Sequence, residues 1–195
     1  IIGNTAFGKG GGIASYGGNT TILNTTIHGN QAGSGGGGIF KNSYATYTGG
    51  NDVGDLTVVN STITGNSSAS GAGGINAGGE DTIANTVVIG NLVIGGGASD
   101  ISGALEIANN NVFGGTATVT SGAGNQFNVA DAGLGALADN GGPVLTRAIV
   151  NPSSVLINAG SNAAAAGQGL TTDATGATRV VGGTVDVGAV ENQLV

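Results

Sequence analysis

Val58-Val59-Asn60-Ser61-Thr62-Ile63-Thr64-Gly65-Asn66 is one of three near-copies of a single phrase. The others are Ile22-Leu23-Asn24-Thr25-Thr26-Ile27-His28-Gly29-Asn30 and Ile83-Ala84-Asn85-Thr86-Val87-Val88-Ile89-Gly90-Asn91. Ile107-Ala108-Asn109-Asn110-Asn111-Val112-Phe113-Gly114-Gly115 echoes them, and the chain opens on a half copy, Ile1-Ile2-Gly3-Asn4. Each copy sets two short β-branched spans around an Asn and closes on glycine, which is strand chemistry broken by bends. A unit so small cannot bury its apolar face alone and must stack on its neighbours. The closing asparagines at 4, 30, 66 and 91 are spaced by 26, 36 and 25 residues. The long middle interval predicts an insertion over about 42–55, which holds Tyr44, Tyr47, Asp52 and Asp55.

Composition agrees with thin, small-residue layers. Of 195 residues 42 are glycine and only 2 proline, and charged residues make up 8%. Four Lys and Arg against 11 Asp and Glu leave a net charge of −7. Without a basic cluster, nucleic acid and anionic membranes are poor partners. No run is apolar enough for a membrane helix, and the absence of cysteine removes disulfides and thiolate metal sites. Short strands joined by Gly, Asn and Ser at this period predict a parallel β-helix over 1–130, with no leucine ladder or helical return.

Within the repeat, Asn24, Asn60, Asn85 and Asn109 stand where the chain must bend, and Asn tolerates left-handed angles. Stacked coil on coil, their amides are expected to bond as a ladder. Ile22, Val58, Ile83 and Ile107 are expected to form the inner aliphatic column. After Asp131 the texture changes, with leucines and both prolines, Pro143 and Pro152. Residues 131–195 read as a C-terminal closing segment, because a solenoid end exposes an unpaired sheet edge that needs a cover. The half copy at Ile1 predicts a second open edge, suited to end-to-end pairing with another chain.

The tail carries Leu134-Gly-Ala-Leu-Ala-Asp-Asn-Gly-Gly-Pro143-Val-Leu-Thr146, then Ile157-Asn158-Ala159-Gly160, and ends with Arg179-Val-Val-Gly-Gly183 and Val185-Asp186-Val-Gly-Ala-Val-Glu191. This resembles the choice-of-anchor Q domain that ends bacterial parallel β-helix surface proteins. Val87 to Asn91, Asp100-Ile101-Ser102-Gly103 and Asn109 to Gly115 extend the resemblance into the last coils. The chain departs from the family at Arg147, at Thr175 and in the turn Asn151-Pro152-Ser153-Ser154. The resemblance implies a right-handed, all-β helix, exported to the bacterial surface or beyond, with no catalytic residues to transfer.

Enzyme chemistry finds little material. Lyase chemistry needs a cationic base beside calcium-holding carboxylates, and the cations are Lys9, Lys41, Arg147 and Arg179 alone. His28, the sole histidine, is replaced by Thr64 and Ile89 in the next copies, which marks an ordinary strand position. Asp173, Arg179, Asp186 and Glu191 are expected to make ion pairs that pin the closing segment, with calcium on the three acids as the one cofactor chemistry they suggest. The expected function is therefore non-enzymatic: an extracellular or cell-surface structural or adhesive rod that self-associates or contacts matrix partners and glycans. The alternative is a carbohydrate-binding or polysaccharide-degrading β-helix, with Tyr44, Tyr47, Asp52 and Asp55 as its ligand loop.

Overall fold

The computed structural model describes residues 1–42, 54–78 and 80–193. The repeated phrase folds as two strands on either side of a bend, and each coil adds two more. The first coil contains β1 (Thr5–Ala6), β2 (Ile13–Ser15), β3 (Thr20–Leu23) and β4 (Thr26–His28). The second contains β5 (Gln31–Ala32), β6 (Ile39–Lys41), β7 (Leu56–Val59) and β8 (Thr62–Thr64). The third contains β9 (Ser67–Ser68), β10 (Ile75–Asn76), β11 (Thr82–Ala84) and β12 (Val87–Ile89). The fourth contains β13 (Leu92–Val93), β14 (Gly97–Ala98), β15 (Ile101–Ser102), β16 (Ala104–Asn109) and β17 (Val112–Phe113), and β18 (Thr118–Ser121) follows. Equivalent strands stack in parallel, in the orders β1-β5-β9-β13, β2-β6-β10-β15, β3-β7-β11-β16-β18 and β4-β8-β12-β17. The chain is an all-β solenoid of stacked parallel strands.

Its core stacks equivalent inward residues of successive coils into columns. Ile27, Ile63, Val88 and Phe113 stack on one wall, and Ile22, Val58, Ile83 and Ala108 on another. Ile107, expected in the inner column, is instead 39% exposed, and Ala108 takes the place. The echo is shifted by one residue: Ile83 pairs with Ala108, and Val87 with Val112. The shift accounts for the exposure of Ile107. A strand alternates faces with a period of two, so a one-residue offset exchanges the inner and outer sets.

Glycine runs allow the coils to approach each other closely. A Cβ on Gly37 would sit 2.3 Å from the Ser67 carbonyl oxygen, and one on Gly73 2.3 Å from the Leu92 backbone. Such contact leaves room only for hydrogen. Asn125 and Gln126 close a short last turn: Gln126 bridges Val112, and Ala117 and Val119 pack onto the end of the core.

The closing segment leaves β18 largely exposed at that end and reaches it through the Val155 carbonyl, which accepts from Gln126 Nε2 at 3.4 Å. It contains a hairpin, β19 (Leu134–Ala138) with β20 (Thr146–Ile149), and a short helix, α1 (Asn162–Gly167). It then runs along the flank of the solenoid past every coil. Asn24 donates to the Thr172 carbonyl, Asn60 to that of Asp186, Asn85 to that of Ser161 and Asn110 to that of Ala159. The reason lies in the outward column of the fourth wall, which reads Thr26, Thr62, Val87, Val112 along the stack. Valine on an outer face needs a cover. Val87 and Val112 form a second core with Ala132, Leu156 and Val187 of the tail.

Candidate functional site

The bend asparagines take the left-handed conformation, at φ +48° for Asn24, +49° for Asn60, +50° for Asn85 and +53° for Asn110. The fourth is Asn110 and not Asn109, for the same one-residue shift; Asn109 ends β16 and accepts from the Ala123 amide. Among the bend amides one rung forms, Asn85 Nδ2 to Asn60 Oδ1 at 3.2 Å. Their other bonds hold the tail.

The long amide ladder is built from the closing asparagines. Asn4 Nδ2 donates to Asn30 Oδ1, Asn30 to Asn66 and Asn66 to Asn91, each at 2.9 Å, and Asn91 donates to Asp100 Oδ1 at 2.8 Å. Every acceptor oxygen also receives the backbone N–H of the preceding rung's residue. Asp100 suits the last place because a carboxylate only accepts, and burial raises its pKa. In the sequence these asparagines show as a spacing and not as a ladder. Their spacing matched, but nothing local showed that their side chains point inward.

The ligand-loop residues Tyr44, Tyr47 and Asp52 lie outside the described residues. Asp55 is described: its backbone N–H donates to Asn19 Oδ1 at 3.1 Å. Lys41 is fully buried, with Nζ donating to Ser15 Oγ and the Gly18 carbonyl. Asp81, also buried, accepts from the Gly78 N–H. Burial raises the Asp81 pKa against the pull of that N–H and of Lys41. Lys41 and Asp81 thus sit under the solenoid surface.

In the tail, Arg179 is fully buried and its ion pair is with Glu191, Nε to Oε2 at 3.7 Å. The expected partners Asp173 and Asp186 meet it differently. Asp186 offers Arg179 Nη2 its backbone carbonyl, at 2.9 Å, while its carboxylate accepts the N–H groups of Asn158 and Asn192. Asp173 accepts from the backbone N–H groups of Thr175, Ala177 and Glu191. Glu191 accepts from those of Val181 and Asp186. Burial, helped by the Asp186 charge, pushes its pKa up to about 7 against Arg179 and these donors. The acids bind their own backbone, and among the described residues no group of three His, Asp or Glu is placed to hold a metal ion.

His28 lies on the outer flank with Nδ1 3.0 Å from Thr64 Oγ1, and its pKa is lowered by burial and by Arg147 nearby. Arg147 Nε donates to the Gly135 carbonyl at 2.7 Å and so staples the hairpin. The pair stands where the tail meets the coils, and Arg147 lines a cleft of about 220 Å³ there with Gly65, Ile89 and Asp131.

One cleft has a different character. A groove of about 310 Å³ runs between α1 and the outer face of β7, β11 and β16. Val59, Ala84, Ala163 and Ala164 supply small apolar walls, and Thr57, Thr82, Asn109, Asn110, Ser161 and Gln168 supply polar groups. Of these residues the sequence singles out Asn109 alone, and as a ladder residue. Thr57 and Thr82 each fall three places before a bend Asn, but the docking of α1 that makes a groove from an open face leaves no local signal. No family model, no curated protein and no solved structure matches this chain.

Proposed function

We propose that the chain is a non-enzymatic structural or adhesive module of a bacterial extracellular or cell-surface protein. We read it as a right-handed parallel β-helix whose tail resembles the choice-of-anchor Q domain, stiff enough to hold a partner surface away from its anchor. The observation that carries this reading is the unbroken amide ladder from Asn4 to Asp100, with the tail bonded to all four bends beside it. Buried amide rungs rigidify because each needs its neighbour in one register. The charged groups of the tail are spent on that architecture: Arg179 and Glu191 are buried within it. End-to-end assembly through the sheet edges is part of the same proposal.

The test is twofold. Pulling the purified protein between its termini by single-molecule force spectroscopy should give one high-force rupture, followed by release of the whole solenoid. Protease shaving and antibody labelling of intact cells of the source organism should find the chain at the surface. Successive low-force steps, or a chain found only in the cytoplasm, would overturn the proposal.

A further inference from the structure

The groove beside α1 carries a set of polar groups that the fold does not use. Along the solenoid many side-chain amides and hydroxyls are taken up by the ladder and by the tail, although Asn24 Oδ1, Thr26 Oγ1 and Ser68 Oγ are buried without a partner. In the groove, Thr57 Oγ1, Thr82 Oγ1, Asn109 Nδ2, Asn110 Oδ1 and the Gln168 amide have no partner among the described residues. The same side chains are held in place by their remaining atoms: Asn109 Oδ1 accepts from the Ala123 N–H and Asn110 Nδ2 donates to the Ala159 carbonyl. Ser161 is fixed likewise, its Oγ capping the Ala164 N–H and its backbone bonded on both sides to the Asn85 amide. The result is a rigid set of neutral donors and acceptors around small methyl-bearing walls.

We infer that this groove is a binding site for a neutral saccharide unit. The lining has no charged residue, so it offers nothing to balance a phosphate, a carboxylate or an ammonium, and burying an unpaired charge there is costly. A peptide strand is poorly served, because β7 and β11 are paired on both sides and present no sheet edge for strand addition. The apolar part of the groove is Val59, Ala84, Ala163 and Ala164, which is no socket for a large side chain. Vicinal hydroxyls, by contrast, both donate and accept at close intervals, as the free Thr, Asn and Gln groups do. Thr57 and Thr82 pair directly across adjacent coils, which sets two hydroxyls one strand spacing apart, about 4.8 Å. A volume of about 310 Å³ is at the small end of ligand pockets, sugar-sized and not oligomer-sized. With no aromatic ring in the lining, affinity per site is weak, with Kd on the order of 1 mM. This inference does not depend on the mechanical role of the rod.

Titration of the intact protein with neutral gluco-, manno-, galacto- and xylo-hexaoses by NMR, with hexagalacturonate as the charged control, tests the site. At least one neutral oligosaccharide should shift the amides of β11 and α1. Thr82→Val keeps the shape and removes a hydroxyl; Ala163→Phe fills the groove from an exposed helix position. Each should weaken binding by about tenfold or more, while Ala166→Phe, on the same helix but outside the groove, leaves it unchanged. Absence of binding by all four neutral sugars at about 10 mM, unaltered binding in both groove variants, or equal binding of hexagalacturonate would each overturn the inference.

Discussion

Asn66 shows how much one side chain holds in this fold. Its Nδ2 donates to the Ile27 carbonyl and to Asn91 Oδ1, and its Oδ1 accepts both the amide and the backbone N–H of Asn30. Asn66→Ala strands buried partners in two coils at once, at about 1–3 kcal/mol for each group left without a bond. We expect a loss of roughly 3 kcal/mol or more in urea unfolding. Asn66→Asp keeps the acceptor but sets a charge against the Ile27 carbonyl, so its loss should be larger at pH 7 than at pH 4. Glu191 gives a second prediction at this scale. Its pKa is raised from 4.5 to about 7 in the fold, so the fold favours the neutral acid. The stability this brings is complete below about pH 4.5 and is lost as pH rises toward 7. At 1.36 kcal/mol per pKa unit, this is about 3 kcal/mol. Glu191→Gln stays neutral throughout, and the pH slope of its unfolding free energy between 4.5 and 7 should flatten relative to wild type.

At the scale of elements, the tail is a strap and not an end cap. Leu156 and Val187 press on Val87 and Val112, and the bend asparagines supply the polar half of the contact. Leu156→Ala should weaken docking by about 2–5 kcal/mol, as buried leucine truncations do. Limited proteolysis should then cut within the tail while the coils survive; coils cut at the same rate as the tail would refute the strap. Much of this level was legible in the sequence. The phrase around Asn60 announced strand, bend and strand, and the left-handed asparagines follow from Asn chemistry. The echo at Asn109 misled because three consecutive asparagines hide a one-residue shift that only strand pairing resolves. Ser161 and α1 were unreadable for another reason. Their place is set by contacts with Asn85, 76 residues away in the chain, and a local pattern carries no trace of such a partner.

For the whole molecule, the question is whether the coils behave as separate units. In a solenoid each coil touches only its neighbours, so the ends are free to fray while the middle holds. The strap changes this, because one segment bonds Asn24 in the first coil, Asn60 in the second, Asn85 in the third and Asn110 in the fourth. Opening the first coil while the tail stays docked breaks the Asn24–Thr172 bond and the Asn30 rungs together. The coils should therefore open as one unit. In wild type, amides of β3 and β4 should match those of β8 and β12 in hydrogen-exchange protection. Val187→Asp places a charge in the second core, where its burial is unfavourable, and so lifts the strap. The variant should keep the protection of β8 and β12, where the ladder has neighbours on both sides. Exchange in β3 and β4 should accelerate by about tenfold or more, since local opening free energies follow the contacts that remain. Uniform acceleration across all four coils would mean that the ladder alone sets cooperativity and that the tail is a passenger.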